Sequence, residues 1–103
     1  MITYSVFYPY KEEARFDFDY YQNNHLGILK RYFGDTCKGI TVLKGQMEDG
    51  DSSDFTCVCH IFFDSEEIFL EIMEKAKAEL LADVKNYTNI EPYAKIFEIS
   101  MQE

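Results

Sequence analysis

Phe55-Thr56-Cys57-Val58-Cys59-His60-Ile61-Phe62-Phe63 reads as a β-strand, and the architecture turns on its two faces. Side chains alternate across a strand with period two. Phe55, Cys57, Cys59, Ile61 and Phe63 therefore share one face, and Thr56, Val58, His60 and Phe62 share the other. Both sets are largely apolar, so both sides of the sheet need cover.

On the N-terminal side, Glu48-Asp49-Gly50-Asp51-Ser52-Ser53-Asp54 is a polar, acidic connection. It has the oxygen density of a calcium loop but not the spacing, which requires a bidentate Glu at the twelfth position; it reads as a hairpin tip. Lys38 to Met47 precedes it as a second strand, with Ile40 and Val42 on one face and Thr41 and Leu43 on the other. Earlier still, roughly Asp17 to Phe33 reads as a helix. Asp17 or Asp19 can cap its free N–H groups and Gly34 can stop it. Phe18, Tyr21, His25, Leu29 and Tyr32 recur at three- and four-residue spacing, which places the histidine on the apolar stripe. Ile2 to Tyr8 alternates as a strand closed by Pro9, and Lys11-Glu12-Glu13 is a solvated connection.

On the C-terminal side, Ser65-Glu66-Glu67 caps a second helix that runs to about Val84. Its inner stripe is Ile68, Phe69, Ile72, Met73, Ala76, Leu80 and Val84, opposite Glu71, Glu74, Lys75 and Glu79. That stripe is core. Asn86 to Pro92 is a turn-rich connection, and about Tyr93 to Ile99 is the last strand. The order β-α-β-β-α-β implies a single α+β domain over residues 1–103. It is ferredoxin-like, a four-stranded antiparallel sheet with both helices on one face. Two helices leave the other face bare. A second copy of the same sheet is the simplest cover, so a homodimer packed through its sheet faces is expected.

Composition narrows the partners. The formal net charge is −9, with only 10 Lys and Arg, which excludes nucleic acid and anionic membrane surfaces as partners because both need clustered cations. No stretch has the length and apolarity of a membrane span, and Met1-Ile2-Thr3-Tyr4 lacks a basic leader followed by an apolar run, so the cytoplasm is the expected compartment. Aromatic residues reach 17%, more than so small a core uses, which points to a pocket or an interface. Cys57 and Cys59 face the same way, where an i, i+2 disulfide would strain the strand. A Cys-x-Cys can bind metal, yet His60 faces the opposite side and no second cysteine pair exists, so the thiols read as small buried hydrophobes. No metal and no cofactor is expected.

Several segments together resemble the EthD family. They are Val6-Phe7-Tyr8-Pro9, Arg15-Phe16-Asp17-x-Asp19-Tyr20-Tyr21-x-x-x-His25, Lys38-Gly39, Cys59-His60-x-x-Phe63-Asp64-Ser65 and Asp83-x-x-Asn86-Tyr87-Thr88-x-Ile90-x-Pro92. The resemblance spans nearly the whole chain. Where family members usually carry His-x-Pro, this chain has His25-Leu26-Gly27, which lets the helix continue past the histidine. The resemblance implies a dimeric α+β barrel with a pocket between each sheet and its helices. Relatives in that superfamily include cofactor-independent monooxygenases, polyketide cyclases, lactone isomerases and haem-binding enzymes, a range that does not by itself fix a reaction.

With such a pocket, His25 is a candidate general base for a small hydrophobic, aromatic or enolisable molecule, since a neutral imidazole titrates near physiological pH. The anion formed can pass an electron to oxygen, cyclise or isomerise. Tyr87 and Tyr21 can donate to a developing oxyanion. Asp83, if it points inward, can orient a ring nitrogen or carry a proton. His60, with Phe62 beside it, can line the same cavity or the dimer seam. Each has a plainer reading: His25 as a core histidine bonded to backbone, His60 as structural, Asp83 as a solvated carboxylate near a helix C-terminus, and Tyr87 as turn packing. A non-catalytic carrier or sensor of a hydrophobic metabolite fits the same aromatic excess, and one histidine suffices as a haem ligand. Glycine-rich phosphate loops and nucleophile elbows are missing from the sequence, which disfavours nucleotide-dependent and hydrolytic chemistry.

Overall fold

The computed structural model describes residues 1–46 and 54–103, so most of the acidic hairpin tip read at Glu48 to Asp54 lies outside the described residues. Strands β1 (Ile2–Pro9), β2 (Cys37–Lys44), β3 (Phe55–Phe63) and β4 (Tyr93–Glu98) form one sheet in the order β2-β3-β1-β4. Every neighbouring pair is antiparallel. This is the ferredoxin-like α+β arrangement expected from the element order.

The first helical element has three parts. Helix α1 (Phe18–Tyr20) runs into a π-helical segment (Tyr21–His25) and then into α2 (Leu26–Phe33). Asp17 caps the start, its carboxylate accepting from the Tyr20 N–H at 3.0 Å. Gly34 ends it at φ +51°, ψ −131°, a conformation that suits a residue without Cβ. Helix α3 (Glu66–Asp83) opens on Ser65, whose hydroxyl accepts from the Ile68 N–H at 3.2 Å. The chain runs on past His25 without a break, as expected for Gly27 in place of proline. A Cβ at Gly27 would meet nothing within 4 Å. Gly27→Ala is therefore expected to raise stability by about 0.5–1 kcal/mol, seen as a higher thermal midpoint; an unchanged or lower midpoint would contradict an open helical site there.

Both helical elements pack on one face of the sheet. Cys57, Cys59, Ile61 and Phe63 of β3 are buried beneath them, together with Tyr8, Leu29, Phe33, Phe69 and Ala76. Cys57 and Cys59 are unpaired thiols, and burial pushes them up to about 12 and about 11. Ile68 departs from the expected stripe on α3. It is 45% exposed, whereas Phe69, one position on and about 100° round the helix, is 1% exposed. Among the described residues no helix lies on the opposite sheet face. Strand β4 is exposed along its whole length, with Tyr93, Ile96 and Phe97 among the large apolar residues in view.

Candidate functional site

A cavity of about 80 Å³ lies between the helices and the inner face of the sheet. Its lining is mainly aliphatic, including Leu29, Ile61, Leu80 and Val84; its polar atoms belong to His25 and to tyrosines. Two local structures bring these groups together. In the π segment the Leu26 N–H donates to the Tyr21 carbonyl, five residues back. That wide turn keeps Tyr21, His25 and Leu26 buried while Gln22, Asn23 and Asn24 stay outside. Such insertions recur at functional sites, and nothing in the residue spacing announces this one.

The second structure is the segment after α3. The Asp17 N–H donates to the Tyr87 carbonyl at 2.8 Å, the Thr88 hydroxyl donates to the Arg15 carbonyl at 2.7 Å, and Asn89 accepts from the Arg15 N–H at 2.8 Å. These bonds tie Asn86-Tyr87-Thr88 to the start of the helical element and fix Tyr87, fully buried, against the His25 ring at 4.6 Å between centroids. Tyr21 stacks on His25, 5.4 Å away and within 16° of parallel, and lies 4.9 Å from Tyr87.

Asp83 is not the solvated carboxylate of the plainer reading. It is 8% exposed and points inward. Its Oδ2 lies 2.9 Å from His25 Nδ1, while its Oδ1 accepts from the Tyr20 hydroxyl at 2.7 Å and the Asn86 amide at 2.8 Å. Burial alone would raise this carboxyl, but the donors from Asn86, Tyr20 and His25 outweigh it and hold it below the ordinary value. Desolvation lowers the His25 imidazole, opposed in part by Asp83. The pair is thus a carboxylate and a neutral imidazole at neutral pH. The Nδ1–H of His25 donates to Asp83, and Nε2 is left as the basic nitrogen.

Nε2 lies 3.4 Å from the Tyr87 hydroxyl, which in turn lies 2.7 Å from the Tyr8 hydroxyl. Burial raises both phenols well above their usual range, so both keep their protons. Tyr8 is the member that the sequence reading missed; its alternation in β1 placed it inward, but no spacing links it to Tyr87, 79 residues on.

His60 and Phe62 are not brought to this cavity. The period-two alternation that buries Cys59, Ile61 and Phe63 under the helices turns His60 and Phe62 to the bare face, where His60 Nδ1 meets the Ser5 hydroxyl at 2.7 Å. Haem does not fit this site, because the cavity is far smaller than a macrocycle. Among the described residues no cluster of three metal-ligating side chains occurs, and no helix is long and apolar enough to cross a membrane.

Both shifts have the same sign for stability. His25 binds its proton at lower pH in the folded chain than its ordinary 6.5, so the unfolded chain takes up more protons and stability declines as pH falls below about 6.5. Asp83 adds a loss in the same sense below its ordinary 3.8. An NMR titration of the His25 ring is expected to have its midpoint below 6.5, and lower still in Asp83→Asn, where burial acts unopposed. A midpoint at or above 6.5 in the native protein would show that the carboxylate, not desolvation, governs the ring.

Comparison with known proteins adds a family and a set of folds. The family model described as the EthD domain matches residues 11–91. A crystal structure of an EthD-like protein from Ralstonia eutropha JMP134 is 38% identical over 99% of this chain and 94% of that one, with a TM-score of 0.89. An ethyl tert-butyl ether degradation (EthD) family protein from Bacillus halodurans C-125 is 19% identical over 96% and 98%, with a TM-score of 0.67. An Arabidopsis thaliana protein shares the fold at 9% identity over 100% and 99%, with a TM-score of 0.66. Among curated proteins none matches.

Proposed function

The chain belongs to the EthD domain family, and we propose that residues 1–103 form one such domain whose cavity is the active site of a small-molecule enzyme with His25 as general base. The observation that carries this reading is the 2.9 Å contact between Asp83 and His25 Nδ1, which leaves Nε2 as an acceptor at the wall of an apolar cavity. Asp83 acts as a positioning residue. It fixes the tautomer and compensates the charge that the ring acquires on taking a proton. Tyr87, with Tyr8 behind it, donates to the oxyanion that forms. Tyr21 holds the ring by stacking.

Proton abstraction from an aromatic or enolisable substrate is the common first step of cofactor-independent oxidation by dioxygen, cyclisation and isomerisation, and oxidation is the reaction we favour. The buried, unpaired thiols of Cys57 and Cys59 support a reducing compartment, the cytoplasm. The test is a substrate screen read by oxygen uptake and product mass, run on the native protein and on His25→Ala. Turnover that survives in His25→Ala would defeat the assignment, and ligand binding without turnover would make the protein a carrier or sensor.

We place a second copy of the chain on the bare sheet face. Phe7, Val58, Phe62, Tyr93 and Phe97 alternate onto it around His60, together with Lys95. Among the described strand residues no Asp or Glu alternates onto this face. Two copies that each carry −9 repel one another at most approaches; here an apolar surface meets its like with no acid between. Native mass spectrometry is expected to give a dimer, and Phe62→Glu a folded monomer. A native protein that is monomeric at micromolar concentration would remove the barrel.

A further inference from the structure

The cavity's hydrogen-bonding groups select the ligand's polar group. Asp83 accepts from Tyr20, from Asn86 and from the Nδ1–H of His25, and with the proton on Nδ1 the Nε2 of the neutral ring can only accept. Its one neighbour, the Tyr87 hydroxyl, is at 3.4 Å, longer than a good hydrogen bond. Tyr87 is held far more closely by Tyr8, at 2.7 Å. A buried acceptor with so weak a partner is costly to leave as it is, and it borders an apolar space. Among the described residues no Lys or Arg lines that space, and the Asp83 carboxylate sits on the Nδ1 side of the imidazole.

We infer that the ligand is a neutral molecule with an apolar body and a hydroxyl, phenolic or enolic, that donates to His25 Nε2 and accepts from Tyr87. One O–H meets both needs, because it gives its proton to Nε2 while a lone pair on the same oxygen takes the Tyr87 proton. An ether oxygen has no proton to give and leaves Nε2 unpaired. A carboxylate brings a negative charge into a site with no cation and with Asp83 behind the imidazole. The selection is against ethers and acids and for the alcohol or phenol of the same shape.

This inference rests on reading the cavity as a ligand site, and four probes separate the two. Binding of toluene, phenol, anisole and benzoate to the native protein at pH 7 is followed by NMR shifts of the Leu29, Ile61 and Leu80 methyl groups. The expected order puts phenol at least about tenfold tighter than anisole, with benzoate producing no shift and toluene binding weakly. In Tyr87→Phe, phenol and anisole both lose the Tyr87 donor and both should bind more weakly, while phenol keeps its bond to Nε2 and therefore its advantage over anisole. If anisole matches phenol or benzoate binds best, the hydroxyl rule is wrong while the cavity remains a ligand site. If none of the four shifts those methyl groups, the cavity reading itself falls and takes the rule with it.

Discussion

His25→Ala is expected to lower kcat by about 10²- to 10⁴-fold on any substrate the protein turns over, with substrate affinity changed by less than about tenfold. The imidazole is the only basic nitrogen among the side chains that line the cavity. Asp83 cannot take its place, because its two oxygens are occupied on the far side of the ring. Removing the ring also leaves Asp83 without one of its donors, so disturbed structure is a second route to lost activity. His25→Gln separates the two: its amide can still donate toward Asp83 and fill much of the space, but it cannot take a proton. Equal inactivity in the Ala and Gln variants, with little change in thermal midpoint for Gln, is the signature of a lost base. Turnover within about threefold of the native rate in either variant would mean that His25 is a packing residue and the cavity a carrier's.

What could be read from residue order and what could not divide along a physical line. The alternation of Phe55 to Phe63 located β3 to the residue, Gly34 and Ser65 stand where the sequence put them, and of the two candidates Asp17 and Asp19 it is Asp17 that caps the first helix, because strand period and capping are local properties. The inward turn of Asp83 was not legible. A carboxylate near a helix C-terminus is unfavourable against the helix dipole, and what reverses that is a set of donors from Tyr20 and His25, some sixty residues earlier. The pairing of Tyr8 with Tyr87 is hidden for the same reason. The π segment escaped because the spacing from Phe18 to Tyr32 satisfies an ordinary helix equally well. His60 was open to either the cavity or a dimer seam, and the strand alternation puts it on the sheet face away from the cavity.

Phe69→Ala is expected to cost about 3–5 kcal/mol, a large share of the stability of so small a domain, and to lower the thermal midpoint by more than about 10 °C. The ring is 1% exposed and packs among Tyr4 at 4.8 Å, Phe63 at 4.9 Å and Phe33 at 5.7 Å, so its removal leaves a void bounded by both helices and the sheet. Ile68→Ala is the informative companion. The sequence stripe ranks the two together, whereas the 45% exposure of Ile68 predicts a cost under about 1 kcal/mol. The comparison reaches the active site through the geometry of α3. Asp83 follows Phe69 by 14 residues, about four turns, and therefore lies on the same face of the helix. A rotation of α3 that buried Ile68 in place of Phe69 would carry Asp83 away from His25. Equal losses at positions 68 and 69 would thus break the Asp83–His25 pair as surely as any kinetic result, and a large loss at 69 alone supports the helix setting on which that pair depends.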